Sequence, residues 1–303
     1  MKVLVTGASG FVGSTLCPAL AAVGHDVLAM TRRPDDYRGA GTAVQGDVED
    51  VDSLAVALRG CDAAYYLVHS LGSEDFADKD RRAAEAFGDA AAANGVRQVI
   101  YLGGLGSERD ELSDHLASRR EVEAILQARV PTTVLRAGII IGDGGISWEL
   151  LRQLVANLPV MVTPKWVRTR TQPVGIDDVV AFLVGVLGNP AAINDTYDVG
   201  GPDVLTYGEM LEAVGDMPGG RLRFVVPVPV LSPRLSSHWL RLVTDVDLHT
   251  AQALVESMSN EVVVRDRRIE VLTSHRAIDF DSAARRALAT RRNRVDNVMD
   301  PRA

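Results

Sequence analysis

The chain begins "MKVLVTGASGFVG", residues 1–13, and the fold prediction starts from this stretch. Residues 2–7 form a short apolar, β-branched run that ends at a glycine, which is typical of a buried parallel strand. Gly7 allows a tight turn, Gly10 leaves space where a pyrophosphate would approach, and Gly13 lets a helix pack closely on the strand. The helix N-terminus adds free N–H groups and a partial positive charge. The stretch therefore predicts a strand–loop–helix unit that binds a dinucleotide.

The composition argues against several classes of protein. The chain has 303 residues, 47% hydrophobic and 24% charged, an ordinary mixture for a globular protein. A net charge of −8 argues against a nucleic-acid surface, and aromatic residues, at 5%, are few for base stacking. No stretch has the length of a transmembrane helix, so we expect no integral membrane segment. Cys17 and Cys61 belong to no metal-type cluster and no signal peptide is recognisable, which favours a cytoplasmic protein without a metal site.

Strands alternate with helices along most of the chain. Strands are expected at 26–32, 61–70, 97–104 and 132–142, and the helices between them end at Gly24, Gly60 and Gly95. This order predicts an α/β fold with a parallel sheet covered by helices on both faces.

The pattern is looser after about residue 140. Thr206 followed by Glu209 predicts a capped helix over 206–216, and the prolines of 223–230 predict an extended segment. Trp166, Arg168 and Arg170 alternate as on a strand, with both arginines on one face. Those arginines fit either a solvated edge or a contact to an anionic group.

The segment after the second strand predicts the cofactor. Arg32 and Arg33 suit the 2′-phosphate of NADP(H), because guanidinium groups form charge-assisted, often bidentate bonds with phosphate. Asp35 and Asp36 lie slightly late for the ribose contact typical of NAD(H), yet they keep NAD(H) open. Asp47, after a short predicted strand, can accept a hydrogen bond from the adenine amino group.

Several segments together resemble the extended and atypical branches of the short-chain dehydrogenase/reductase superfamily, and most nearly its NmrA-like NAD(P)H-binding group. They are "TGASGFVG", "GDVED", "AAYYLVHS", "VLRAGIIIG", "QPVGIDDVV" and "YDVGGPDVLTYGEML". The resemblance implies a Rossmann-type doubly wound sheet with a smaller C-terminal region that covers the substrate. We assign residues 1–138 and 173–199 to the dinucleotide-binding core, and residues 139–172 and 200–303 to the substrate-pocket region.

The resemblance also implies which residues line the cofactor. Together with the glycine loop and the arginines, the set is Thr6, Gly7, Ser9, Gly10, Phe11, Val12, Gly13, Arg32, Arg33, Asp47, Val48, Leu67, Val68, His69 and Arg119.

The chain departs from the family at the catalytic positions. Catalytic members carry Ser or Thr at the end of the fifth strand, where this sequence has Gly103 and Gly104. They also carry Tyr-x-x-x-Lys on the next helix, where this sequence has His115 and Arg119. Arg119 can inherit the lysine's ribose contact but cannot transfer a proton at neutral pH, because its pKa is too high. His115 is a candidate proton donor, although Arg119 nearby should disfavour its charged form.

Two functions follow from this departure. The first is an NADP(H)-dependent oxidoreductase that acts on a small carbonyl, enone or quinone-like substrate with a non-standard proton donor. The second is a catalytically inactive protein that senses NADP(H). The sequence leaves a homo-oligomer and the identity of the substrate open.

Overall fold

The computed structural model describes residues 1–70, 73, 75–106, 112–157, 160–163, 165–218, 220, 224–227 and 248–299. Its strands, in chain order, are β1 (Lys2–Val5), β2 (Asp26–Thr31), β3 (Thr42–Gln45), β4 (Ala63–Tyr66), β5 (Gln98–Gly104), β6 (Thr132–Ala137), β7 (Ile140–Ile141), β8 (Val160–Thr163), β9 (Arg170–Thr171), β10 (Val174–Gly175), β11 (Thr196–Val199), β12 (Leu205–Thr206) and β13 (Phe224–Pro227).

The α-helices, in chain order, are α1 (Phe11–Ala22), α2 (Val51–Ala57), α3 (Phe76–Ala93), α4 (Asp114–Arg129), α5 (Ile146–Asn157), α6 (Ile176–Val186), α7 (Tyr207–Gly215), α8 (Leu248–Ser257), α9 (Arg268–Thr273) and α10 (Phe280–Met299). Short 3-10 helices cover Pro34–Asp36, Lys165–Arg168 and Pro190–Ala192.

The central sheet has seven parallel strands in the order β11-β6-β5-β4-β1-β2-β3. One apolar cluster packs α1, α6 and α9 on one face, and a second packs α2, α3 and α4 on the other. The predicted Rossmann-type doubly wound sheet is confirmed. The chain reverses direction of winding between β1 and β4, and sheets of this type bind ligands outside the carboxyl ends of the strands at such a point.

A third apolar cluster lies beyond the sheet and is built from α5, α7, α8 and α10. Helix α7 begins as predicted: the Thr206 hydroxyl accepts from the Glu209 N–H, and the Glu209 carboxylate accepts from the Thr206 N–H, which is a capping box.

Two predicted strands are wrong in detail. The expected strand at 132–142 is broken between β6 and β7 at Gly138, where a side chain would lie 2.5 Å from the Gln172 carbonyl oxygen. The segment around Trp166 is a 3-10 helix, so Arg168 and Arg170 do not share a strand face. The tertiary contacts of the buried Trp166 ring outweigh the local alternation. Of the predicted extended segment, 224–227 forms β13, and residues 223 and 228–230 lie outside the described residues.

Candidate functional site

The glycine loop after β1 has the geometry of a phosphate cradle. Gly7 has φ +64°, which favours glycine, and the Gly10 N–H donates to the Gly7 carbonyl at 2.9 Å. A side chain at Gly13 would collide with the Gly7 carbonyl oxygen and lie 2.7 Å from the Ala8 Cα. Gly10 precedes the first turn of α1 with extended backbone and offers no side-chain cap, so that turn's N–H groups stay available. These residues fit a bound diphosphate.

The other residues of this loop divide between exposed and packed positions. Ser9 is exposed, whereas Val12 packs against the sheet. Phe11 lies over the loop that precedes α5: side chains at Gly142 and Gly145 would come within 2.9 and 2.8 Å of its ring. The sequence contained no signal for this contact, since the partners are more than 130 positions apart. Phe11 therefore joins the glycine loop to the start of α5.

The residues predicted to contact the adenosine follow β2 and β3, the two strands on one side of β1. Arg32 is exposed and has no ion pair or hydrogen bond through its side chain in the described part of the chain. Arg33 makes one weak pair, 3.6 Å from Asp36, with both side chains largely exposed. Asp47 accepts from the Glu49 N–H through Oδ1 at 3.0 Å, and Val48 is buried beside it. Arg32 is thus available to an anion.

The end of β4 lies beside the glycine loop. The Thr6 hydroxyl is buried, donates to the Tyr65 carbonyl at 3.0 Å and accepts from the Leu67 N–H at 3.0 Å. This side chain ties β1 to the segment after β4. Leu67 and Val68 are half-buried, and His69 is exposed.

Helix α4 carries His115 and Arg119, the two residues that replace the family's tyrosine and lysine. Ser113 caps the helix, and His115 and Arg119 follow on its first turns, both half-buried. His115 Nδ1 lies 3.0 Å from the Ser257 hydroxyl of α8. The Nε of Arg119 is buried with no hydrogen-bond partner, and within the described residues no carboxylate lies at ion-pair distance from its guanidinium. A buried donor without an acceptor is costly, so Arg119 fits a polar or anionic ligand group.

These groups interact electrostatically. Burial, and then the charge of Arg119, lowers the pKa of His115 to about 3. The charge of Arg119 also lowers the pKa of His69, although solvent screens part of this effect because the His69 ring is exposed. Arg119 therefore disfavours the charged form of His115, as the sequence predicted. Both histidines are neutral at pH 7, so neither holds an imidazolium proton there.

A pH titration of stability tests the neutral state of His115. In the unfolded chain a histidine binds a proton below about pH 6.5, whereas folded His115 stays neutral down to about pH 3. The free energy of unfolding should therefore fall as the pH decreases through this window, with a slope of up to about 1.4 kcal/mol per pH unit from His115. Denaturant unfolding at a series of pH values measures this slope. The His115→Asn variant should have a shallower slope, whereas an NMR transition of His115 near pH 6.5 would contradict the prediction.

The sequence did not indicate the polar groups beneath Arg119. Asp80 of α3 is buried, accepts from the Ser70 N–H at 2.8 Å and has a pKa raised by burial. The Tyr101 hydroxyl donates to the Arg119 carbonyl at 3.2 Å. In the sequence, Tyr101 has the pattern of a core residue of β5, and Asp80 has charged neighbours typical of an exposed helix face. Their position beneath Arg119 therefore follows only from the packing of α3 and α4 on the sheet.

The chain is similar to known proteins in sequence. Residues 7–153 match a family described as NAD(P)H-binding. The chain is 32% identical over 235 residues to a (4-alkanoyl-5-oxo-2,5-dihydrofuran-3-yl)methyl phosphate reductase of Streptomyces griseus, covering 73% of this chain and 76% of that protein. It is 28% identical over 245 residues to NADH dehydrogenase [ubiquinone] 1 alpha subcomplex subunit 9 of Arabidopsis thaliana, covering 75% of this chain and 60% of that subunit.

A solved structure has the same fold. A short-chain dehydrogenase/reductase superfamily protein of Agrobacterium tumefaciens, with bound NAD, aligns over 99% of both chains with a TM-score of 0.70 and 17% identity. In the described part of this chain, no helix has the length and apolar character needed to cross a membrane.

Proposed function

Because this chain belongs to the NAD(P)H-binding short-chain dehydrogenase/reductase family, we propose that it is an NADP(H)-dependent reductase of a small enone, quinone-like or carbonyl compound. The observation that carries the proposal is Arg119, a half-buried cation beside two neutral histidines, whose Nε has no hydrogen-bond partner among the described residues. The Streptomyces relative is named as a reductase of an oxo-dihydrofuran compound, which supports this class of substrate.

The glycine loop and Arg32 are the proposed cofactor contacts. The N–H groups at the start of α1 would hold the diphosphate, and Arg32, which is exposed, would bind a 2′-phosphate. Arg32 supports NADP(H) over NAD(H), because a cation has little to gain from a ribose hydroxyl. When bound, the cofactor supplies a hydride.

Arg119 would stabilise the negative charge that a hydride leaves on the substrate oxygen. A permanent cation in a partly buried site lowers the energy of such an oxyanion without transferring a proton. An enone or quinone spreads this charge over a conjugated system and can take its proton from water. An isolated ketone leaves it on one oxygen, where a nearby acid helps most. Since His115 and His69 are neutral, conjugated substrates suit this site better than isolated ketones.

A cofactor-oxidation assay tests the proposal. NADPH absorbance should fall with conjugated enones or quinones, more slowly with saturated ketones, and more slowly with NADH than with NADPH. Arg119→Leu should lower kcat/KM by about 100-fold, since an oxyanion contact of this kind contributes roughly 2.7 kcal/mol or more. Arg82→Leu, which removes an exposed cation of α3, is the matched control and should leave the rate unchanged. Tight NADPH binding without turnover of any compound would contradict a reductase.

That last outcome describes the second candidate, an NADP(H)-binding protein without catalysis. Two observations favour it: neither histidine is in the imidazolium form at pH 7, and the Arabidopsis relative is named as a subunit of a larger complex.

A further inference from the structure

The Ser257 hydroxyl lies between α4 and α8 and makes three polar contacts. It is 2.8 Å from the Ala253 carbonyl one turn earlier on α8, 3.2 Å from the Ser113 hydroxyl and 3.0 Å from His115 Nδ1. A hydroxyl has one proton to donate and two lone pairs that accept. Three contacts therefore use its full capacity, and the proton in each contact can be assigned.

The contact with Ala253 fixes the proton of Ser257. A carbonyl oxygen only accepts, so Ser257 donates to it, which is a bond that serine often forms to the preceding turn of a helix. Ser257 must then accept in its other two contacts. Ser113 donates in one of them, because its oxygen already accepts from the Leu116 N–H at 3.4 Å. His115 Nδ1 is the donor in the third contact.

A further bond holds α4 and α8 together at the same point. The Ser113 N–H donates to the Asn260 side-chain oxygen at 3.0 Å, just beyond the end of α8. Ser113 also caps α4. The helix that carries His115 is therefore fixed against the helix that carries Ser257, on both sides of the contact between the two side chains.

This assignment determines what the other side of the His115 ring offers. The neutral ring has one proton, and with that proton on Nδ1 the Nε2 atom presents a lone pair. Nε2 has no hydrogen-bond partner among the described residues. Arg119, one turn along the same face of α4, offers the opposite, a buried Nε–H without an acceptor in the described part of the chain. The site thus has one unused acceptor beside one unused donor.

We propose that Ser257 is a positioning residue that holds His115 as the Nδ1–H tautomer, so that Nε2 accepts a hydrogen bond from a hydroxyl group of the substrate. Arg119 then donates to the carbonyl oxygen of the same molecule, which makes the substrate a hydroxylated conjugated ketone. This substrate class rests on the proposed function, because the carbonyl contact is that of the reductase. The tautomer rests on the hydrogen bonds of Ser257 alone.

Nuclear magnetic resonance tests the tautomer at pH 7. Long-range ¹H–¹⁵N spectra of the full-length protein labelled with ¹⁵N-histidine show which ring nitrogen carries the proton, and the loss of signals in His115→Asn identifies His115 among the six histidines. We expect the proton on Nδ1. Ser257→Ala should move it to Nε2, because Nδ1 loses its acceptor, and Ser257→Thr should restore the native pattern, because threonine keeps the hydroxyl.

Ser259→Ala is the matched control for these variants. It removes an exposed hydroxyl just after α8 and should leave the His115 signals unchanged. A proton on Nε2 in the native protein would overturn the positioning role, and this spectrum decides the matter even where a variant does not fold. The native pattern retained in a folded Ser257→Ala would overturn it as well.

Equilibrium binding to the NADP⁺ complex tests the substrate class, since an oxidised cofactor cannot reduce an enone. 4-Hydroxycyclopent-2-en-1-one should bind about fivefold more tightly than cyclopent-2-en-1-one, which lacks only the hydroxyl. Ser257→Ala should remove this preference, and Ser257→Thr should keep it. Equal affinity for the two compounds, or binding of neither, would overturn the hydroxyl contact.

Failure of this inference is distinguishable from failure of the reductase. Reduction of enones by a protein whose His115 proton is on Nε2 would overturn the role of Ser257 and leave the reductase intact. A proton on Nδ1 together with a preference for the hydroxylated compound, but without NADPH oxidation by any compound, would do the reverse.

Discussion

Glu123→Gln is expected to lower the free energy of unfolding by about 3–5 kcal/mol. Glu123 is buried on α4 between two guanidinium groups: Arg136 donates to Oε1 at 2.6 Å and to Oε2 at 3.0 Å, and Arg120 donates to Oε2 at 3.0 Å. The glutamine keeps the shape of the side chain but removes the negative charge that the two half-buried guanidinium groups of Arg120 and Arg136 face. Denaturant unfolding monitored by circular dichroism measures the loss.

The same helix supplies the control for this variant. Glu121 is about half exposed and lies 3.9 Å from Arg81, so Glu121→Gln should change stability by less than about 0.5 kcal/mol. Similar losses in the two variants would refute the buried triad. The triad also affects the site, because Arg120 donates to the Gly106 carbonyl at 3.1 Å and so links α4 to the segment after β5. Weaker NADPH binding should therefore accompany the loss of stability in Glu123→Gln.

Gly10→Ala is expected to raise the Kd for NADPH by about 100-fold while leaving the fold nearly as stable. At Gly10 an added Cβ would meet one protein atom, the Gly7 carbonyl oxygen at 3.2 Å, in backbone that any residue adopts. It would nevertheless occupy space needed by a diphosphate and break about two charge-assisted hydrogen bonds, which together correspond to roughly 2.7 kcal/mol. Fluorescence titration of NADPH and thermal unfolding measure the two effects.

Substitutions at two other glycines distinguish an effect on NADPH affinity from an effect on the stability of the fold. Gly13→Ala should lower stability as well as affinity, because its Cβ would lie 2.7 Å from the Ala8 Cα. Gly60→Ala should cost about 1 kcal/mol through its positive φ of +70° and leave NADPH affinity unchanged, since it has open space around it. An unchanged NADPH affinity in the Gly10→Ala variant would show that the cofactor diphosphate does not bind at Gly10.

Most of the fold could be predicted from the sequence because its signals are local. Hydrophobic spacing distinguishes strand from helix within a few residues, and glycines such as Gly24, Gly60 and Gly95 end helices through their own backbone freedom. The errors arose where distant atoms intervene. Gly138 breaks a strand because of the Gln172 carbonyl, and Trp166 leaves the strand pattern because its ring is buried.

For the candidate site, too, local sequence signals predicted some features, and contacts between distant residues decided the others. Local spacing sufficed to put the glycine loop, Arg32 and the pair of His115 and Arg119 at the carboxyl edge of a parallel sheet, because strand order and helix periodicity locate them there. Spacing could not say what each side chain meets. The neutral state of His115 depends on burial beside Ser257, 142 positions away. The surroundings of Arg119 depend on how α3 and α4 pack, because that packing places Asp80 and Tyr101 beneath it. Helix spacing indicated that Arg119 disfavours the charged form of His115, but burial and the groups that face a ligand depend on neighbours remote in sequence, and only the folded arrangement decides them.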